Sequence, residues 1–210
     1  MFSDWLTPQL VKTFSSPFNS KIELIKFAGS YRLDMGELTQ SGHVIETIWD
    51  SAFKKLLPPD FTSKSVLILG LCCGSVAKLI ANKWPQSSIT GLEIDPVVVD
   101  IARTYFHLDK LKNLEIVNAD AIKYVENLDT NAHFDLAIVD CYLGYQIPHQ
   151  FENPSFLQNL KKHTNHLLLN RLFWEEHKTA SLEFLSRLTS TFTVSTCRTP
   201  SNLVISLDPA

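Results

Sequence analysis

Four cysteines, Cys72, Cys73, Cys141 and Cys197, are all the chain has, and no two are spaced as a C-x-x-C pair. Neither a zinc knuckle nor a disulfide-dense frame is therefore expected. A basic excess is lacking too: 19 Lys and Arg stand against 22 Asp and Glu, a formal net charge of -3. Nothing in that balance draws nucleic acid or an anionic membrane. The pairs Lys54-Lys55 and Lys161-Lys162 read as solvated helix faces. No apolar run approaches bilayer-spanning length. Met1-Phe-Ser-Asp-Trp-Leu6 has no basic leader and no apolar stretch of the signal-peptide kind. These absences predict a reduced, cytoplasmic protein that binds neither nucleic acid nor a membrane.

What is there is a chain of 210 residues, long enough to bury a full core. Residues 1–20 mix aromatic, Ser and Pro residues without a period and read as an arm. Lys21–Phe27 alternates polar and apolar residues, and Tyr31–Met35 pairs back after a turn at Ala28-Gly-Ser30, which predicts a β-hairpin. A helix over His43–Leu56 follows, with Val44, Ile48 and Phe53 on its apolar side, stopped by Pro58-Pro59.

From there strands and helices alternate. Strands are expected over Ser65–Gly70, Ser88–Glu93, Leu114–Asn118, Phe134–Asp140 and His166–Asn170, with helices between them. Asp95-Pro96 sets a capping acid ahead of a proline at a first helical position. Alternation means a parallel sheet with right-handed crossovers. The last two strands, Thr191–Thr196 and Asn202–Leu207, are joined too briefly for a parallel return and must be antiparallel. The expected class is α/β, with residues 1–60 as an N-terminal arm, hairpin and linking helix and 61–210 as the binding unit.

Gly70 and Gly74 bracket the turn Gly70-Leu-Cys-Cys-Gly-Ser75 after the first of these strands. A turn of this kind lets backbone approach a ligand, in front of a helix N-terminus. Glu93 lies 23 residues beyond Gly70, at the end of the next strand. There a carboxylate can accept hydrogen bonds from both hydroxyls of a ribose, which points to an adenosine-containing cofactor. Asp95 reads as a helix cap. Asp120 reads as either a cap or a partner for the adenine amine. Asp140 ends the fourth strand, at the crevice beyond the strand ends where open α/β sheets bind ligands.

The order V-L-I-L-G-x-x-x-G, L-E-I-D, N-A-D-A and I-V-D resembles the class I S-adenosylmethionine-dependent methyltransferase fold. Leu38-Thr-Gln-Ser-Gly42 after a hairpin, Glu93-Ile-Asp95, and Phe151–Leu160 after the Asp140 loop resemble its spermidine synthase branch more closely. The resemblance covers about residues 20–207 and implies a Rossmann-like sheet with a C-terminal antiparallel pair. It implies S-adenosylmethionine or its decarboxylated form as cofactor, a small-molecule acceptor and a homodimer. Glu93 would bind the ribose, Asp120 with Ala121 the adenine side, Gly70 and Gly74 the nucleoside–sulfonium backbone, and Gln40 the cofactor from the hairpin side. Asp140 would face the transferred group.

Two departures redirect the function. Polyamine synthases carry an acid where this chain has Cys73, and a second acid where Asp140-Cys-Tyr-Leu143 ends in leucine. Gripping an ammonium needs such acids, because a buried unpaired charge costs roughly several kcal/mol. Methyl transfer to an unknown acceptor, walled by Tyr142 and Tyr145, is therefore the first reading. Aminopropyl transfer at an altered site, or a non-catalytic relative used for ligand binding or dimerisation, stand as alternatives. An NAD-dependent dehydrogenase is disfavoured because the turn lacks G-x-G-x-x-G. Cys73 and Cys141, with His149, are a further possible redox or soft-metal group.

Overall fold

The computed structural model of the protein describes residues 7–36 and 38–209; the Met1–Leu6 stretch lies outside them. Two sheets form. The larger has seven strands: β5 (Ser65–Leu69), β6 (Ser88–Glu93), β7 (Leu114–Asn118), β8 (Phe134–Val139), β9 (Thr164–Leu172), β10 (Phe192–Arg198) and β11 (Asn202–Pro209). Their order is β10-β11-β9-β8-β5-β6-β7. β5 through β9 run parallel, and β11 pairs antiparallel with both β9 and β10. This is the Rossmann-like α/β fold that the sequence predicts.

Strand order reverses at β5. Chain continuing from it builds outward through β6 and β7 on one side and β8 and β9 on the other. A crevice opens beyond the carboxyl ends at such a switch point. Val66, Leu67, Ile68 and Leu69 of β5 are fully buried, so the strand carrying the turn at Gly70 is anchored in the core. Burying each such side chain contributes about 1.5–3 kcal/mol.

Helices cover the sheet: α1 (His43–Leu56), α2 (Ser75–Lys83), α3 (Pro96–Phe106), α4 (Ala121–Glu126), α5 (Pro154–Lys162) and α6 (Glu175–Leu188). Asp95, Asp120 and Asn153 cap α3, α4 and α5 by accepting from backbone N–H groups. α1 packs Ile48, Trp49, Ala52 and Phe53 against the sheet's core. Val44, expected on that apolar side, is 61% exposed instead. It sits in the first turn, ahead of the buried residues Ile48 to Phe53.

The smaller sheet is larger than the expected hairpin. Its four antiparallel strands are β1 (Gln9–Phe14), β2 (Ile22–Phe27), β3 (Ser30–Met35) and β4 (Leu38–Thr39), in that order. β1 escapes a reading by period for two reasons. Its residues are exposed on both faces, and its pairing with β2 shifts register between Leu10 and Lys12, which breaks the alternation. Ile22, Leu24, Leu33 and Met35 pack onto Val98, Ile101 and Phe106 of α3. That contact holds the small sheet over the crevice. Among the described residues no helix is long and apolar enough to cross a membrane.

Candidate functional site

The turn after β5 is held by short-range chemistry. Gly70 and Leu71 N–H both donate to Leu92 O, at 3.0 and 2.7 Å, and Gly74 N–H donates to Leu71 O. Gly70 has φ +91°, and an added Cβ would lie 2.4 Å from the Asp140 carbonyl oxygen. The neighbouring strand therefore dictates glycine there. At Gly74, φ is +72° and a Cβ would meet Leu108. Between them Cys72 also adopts a left-handed φ of +47°. That conformation presents its N–H to Glu93.

Glu93 is accordingly gripped at both oxygens. Oε2 accepts from Cys72 N–H at 2.9 Å and Oε1 from Asp95 N–H at 3.0 Å. Burial pushes its carboxyl above the usual range, and those backbone donors partly offset the shift. Ile94, the next residue, is 40% exposed. Asp95 does more than cap α3: one oxygen takes Val97 N–H while the other accepts from Ser16 Oγ and Asn19 Nδ2. The loop after β1 is thereby tied down beside Glu93.

A cavity of about 260 Å³ opens here. Gln40, Gly70, Glu93, Asp120, Ala121, Asp140 and Tyr142, all expected from the sequence, line it together. Asp120 both caps α4, at 2.9 Å to Ile122 N–H, and faces the cavity. Phe18 and Asn19 line it as well, and sequence reasoning missed them because β1 and its loop carry no period. Gly74 and Tyr145 are outside the lining. Tyr145 stacks on His177 and meets Trp174 edge-on, packing the loop against α6. Cys73 is fully buried among Ile22, Val98 and Phe106, whereas Cys72 and Cys141 face the cavity. The suggested Cys73–Cys141–His149 group does not assemble: among the described residues no three His, Cys, Asp or Glu gather as metal ligands.

A second cavity, of about 180 Å³, adjoins the first. Gln40, Gly70, Cys72, Asp140 and Tyr142 line both. Asp140 stands at this junction. Its Oδ2 accepts from Trp49 Nε1 at 3.1 Å and its Oδ1 from Asn170 Nδ2 at 2.8 Å. Burial raises its carboxyl above the usual range against those two bonds. The Tyr142 hydroxyl is buried without a hydrogen-bond partner among the described residues. Neither Trp49 nor Asn170 is signalled by the sequence, since each reaches Asp140 from a distant segment.

The first cavity can hold a nucleoside. It offers a fixed carboxylate for a vicinal diol, a second acid in Asp120, and apolar walls in Phe18, Ile94 and Ile122. The fold is that of class I S-adenosylmethionine-dependent methyltransferases, with the small N-terminal sheet laid over it.

Comparisons agree. Residues 66–166 match the model of the methyltransferase domain family. An "eEF1A lysine and N-terminal methyltransferase homolog" from Drosophila pseudoobscura pseudoobscura is 30% identical over 124 residues, 57% of this chain and 18% of that protein. A "Polyamine aminopropyltransferase" from Vibrio vulnificus is 33% identical over 98 residues, 46% of this chain and 33% of that protein. The chain thus spans a third or less of these relatives' length. A probable spermidine synthase from Corynebacterium glutamicum superposes with a TM-score of 0.81 at 16% identity, covering 95% of this chain and 80% of that one. Human Methyltransferase-like protein 13, solved in complex with SAH, gives 0.60 at 20% identity, covering 79% and 78%.

Proposed function

We propose that the chain binds S-adenosylmethionine, or its decarboxylated form, in the first cavity and transfers a methyl group to a small-molecule acceptor. When bound, that cofactor supplies a methyl group already activated by its sulfonium. The observation that carries the reading is Glu93: a half-buried carboxylate whose oxygens are each oriented by a backbone N–H and which lines the cavity. Two oriented oxygens suit the two hydroxyls of a ribose. Asp120 and Ala121 serve the adenine side, and Gln40 the end nearest the small sheet. Phe18 and Pro148 exclude water. Asp140, facing both cavities, accepts the proton that the acceptor gives up. Its raised affinity for protons suits that role. The solved complex of Methyltransferase-like protein 13 with SAH supports the choice of cofactor.

The rest of the proposal follows the resemblance: residues 1–60 form the covering unit and 61–210 the binding unit of a cytoplasmic homodimer. Aminopropyl transfer is the second reading, favoured by the match of nearly the whole chain to a spermidine synthase. Against it, Cys73 is packed away from the cavity and Leu143, which lines it, carries no charge, so neither stands in for a lost acid.

Calorimetric titration with S-adenosylmethionine, its decarboxylated form and NAD tests the proposal. Either sulfonium compound is expected to bind, and Glu93→Gln to weaken binding about a hundredfold, the equivalent of one or two hydrogen bonds to a charged group. No heat from either sulfonium compound, in protein shown to be folded by its thermal melt, rejects it. Binding without turnover on a broad acceptor panel turns the reading to a non-catalytic relative.

A further inference from the structure

The link between β1 and β2 is built around one hydroxyl. Ser16 Oγ accepts from Phe18 N–H at 3.2 Å and from Asn19 N–H at 3.0 Å, and it donates to Asp95 Oδ2. A hydroxyl has one donor and two acceptor lone pairs, so its whole capacity is used. Ser16 N–H closes the same ring by donating to Asn19 O at 2.8 Å. Pro17 fixes φ at the tip. Ser16–Asn19 is therefore stiff in itself.

Its attachment to the large-sheet unit is narrow by contrast. Both side-chain bonds from the tip, from Ser16 Oγ and from Asn19 Nδ2 at 3.0 Å, end on the same Asp95 oxygen. At the root of the tip, Phe14 pairs with Ile22 and meets Tyr105 edge-on, 6.3 Å between ring centroids. A stiff tip with a packed root and a latch at one atom turns as a unit once the latch opens. Phe18 lines the first cavity yet is 40% exposed. An apolar ring left partly in water gains by covering a ligand. Neither Phe18 nor Asn19 lines the second cavity.

Asp95 also serves the cavity's carboxylate. Its N–H donates to Glu93 Oε1, and its Oδ1 accepts from Val97 N–H. Asp95 is fully buried, so the latch point is fixed. One residue thus orients the acid inside the cavity and sets where the ring at its rim stands.

We infer that Asp95 is a positioning residue for ligand entry: through Ser16 and Asn19 it latches Phe18 over the first cavity, and the tip swings out to admit and release the ligand. The ligand's identity rests on the cofactor reading above; the latch does not.

The test uses the full chain, with cleavage by chymotrypsin after Phe18 as the measure of tip opening and S-adenosylhomocysteine as the ligand probe. The cut is followed by the mass of the released fragment. Ser16→Ala removes the hydroxyl, and Asn19→Asp sets a second carboxylate against Asp95. Each is expected to speed the cut at least about tenfold in the ligand-free chain and to weaken S-adenosylhomocysteine at least about fivefold. Ser16→Thr keeps the hydroxyl and should match wild type in both. Saturating S-adenosylhomocysteine should slow the wild-type cut at least about tenfold. Thermal melts confirm that all three variants are folded. Cleavage indifferent to Ser16→Ala and Asn19→Asp, affinity unchanged where cleavage is faster, or Ser16→Thr behaving like Ser16→Ala would each overturn the inference. Failure of wild type to bind S-adenosylhomocysteine strikes the cofactor reading alone, and the ligand-free cleavage rates then decide the latch.

Discussion

The two strand ends that meet at the crevice hold their acids by opposite means. At the end of β6, Glu93 is gripped by backbone N–H groups from the turn it faces and from Asp95, two residues on. At the end of β8, Asp140 is gripped by side chains, Trp49 from 91 positions away and Asn170 from 30. The first arrangement is a property of local backbone and survives most side-chain changes. The second is assembled from distant segments and can be edited by one substitution. The Glu93 end of the site is thus the more robust one, and the Asp140 end the adjustable one.

Gly70 is where both arrangements rest, so it offers the largest break. Its N–H binds Leu92 O, and its Cα has the Asp140 carbonyl where a side chain would go. Gly70→Ala is expected to cost more than about 3 kcal/mol, from the clash and the positive φ together. Chemical denaturation measures it, and a loss under about 1 kcal/mol would show that the strand ends are not so tightly joined.

Trp49→Phe separates the two ends. It removes one donor from Asp140 and some buried volume, for an expected loss of about 2 to 3 kcal/mol. It should also move the Asp140 titration further up while leaving that of Glu93 in place, as followed by carboxyl NMR. Movement of both would erase the distinction drawn between them.

The smallest effect is in pH. Burial raises both carboxyls above their ordinary values of 4.5 for Glu and 3.8 for Asp. Between the ordinary and raised values the folded chain holds more protons than the unfolded one. Stability therefore falls as pH rises through that window and is regained on acidification. Asp50, lowered by Lys54 and Lys83, acts in the opposite sense, so wild type must be compared with a Glu93→Gln/Asp140→Asn double variant. From about pH 8 to about pH 5, wild type should gain on the double variant by a few degrees in Tm. A flat difference would mean that these acids titrate normally.

The same contrast explains what could be read from the sequence. β5, β6, β7 and α1 announce themselves through apolar runs, proline stops and caps, and Glu93 through its place after the glycine turn. All of these are local signals. β1 was illegible because a bulge and two exposed faces remove any period. Trp49 and Asn170 read as core aromatic and strand residue, because their partner lies across the fold. Phe18 and Asn19 looked like part of an unpatterned arm. Cys73 and Cys141 could be grouped from the sequence, but the left-handed Cys72 turns its neighbour under the small sheet.

The tie between Ser16, Asn19 and Asp95 has a consequence for the order in which the molecule is built. These partners are 79 and 76 positions apart, so on the ribosome the loop after β1 emerges long before the acid that anchors it. Until then β1 can pair only with β2, and its exposed Leu10 and Val11 have no anchored neighbour. Long-separation contacts of this kind are slow to form. The wall that Phe18 and Asn19 give the first cavity cannot stand before that contact is made. The rest of the wall comes later still, since Asp120, Asp140, Pro148 and Phe151 line the same cavity.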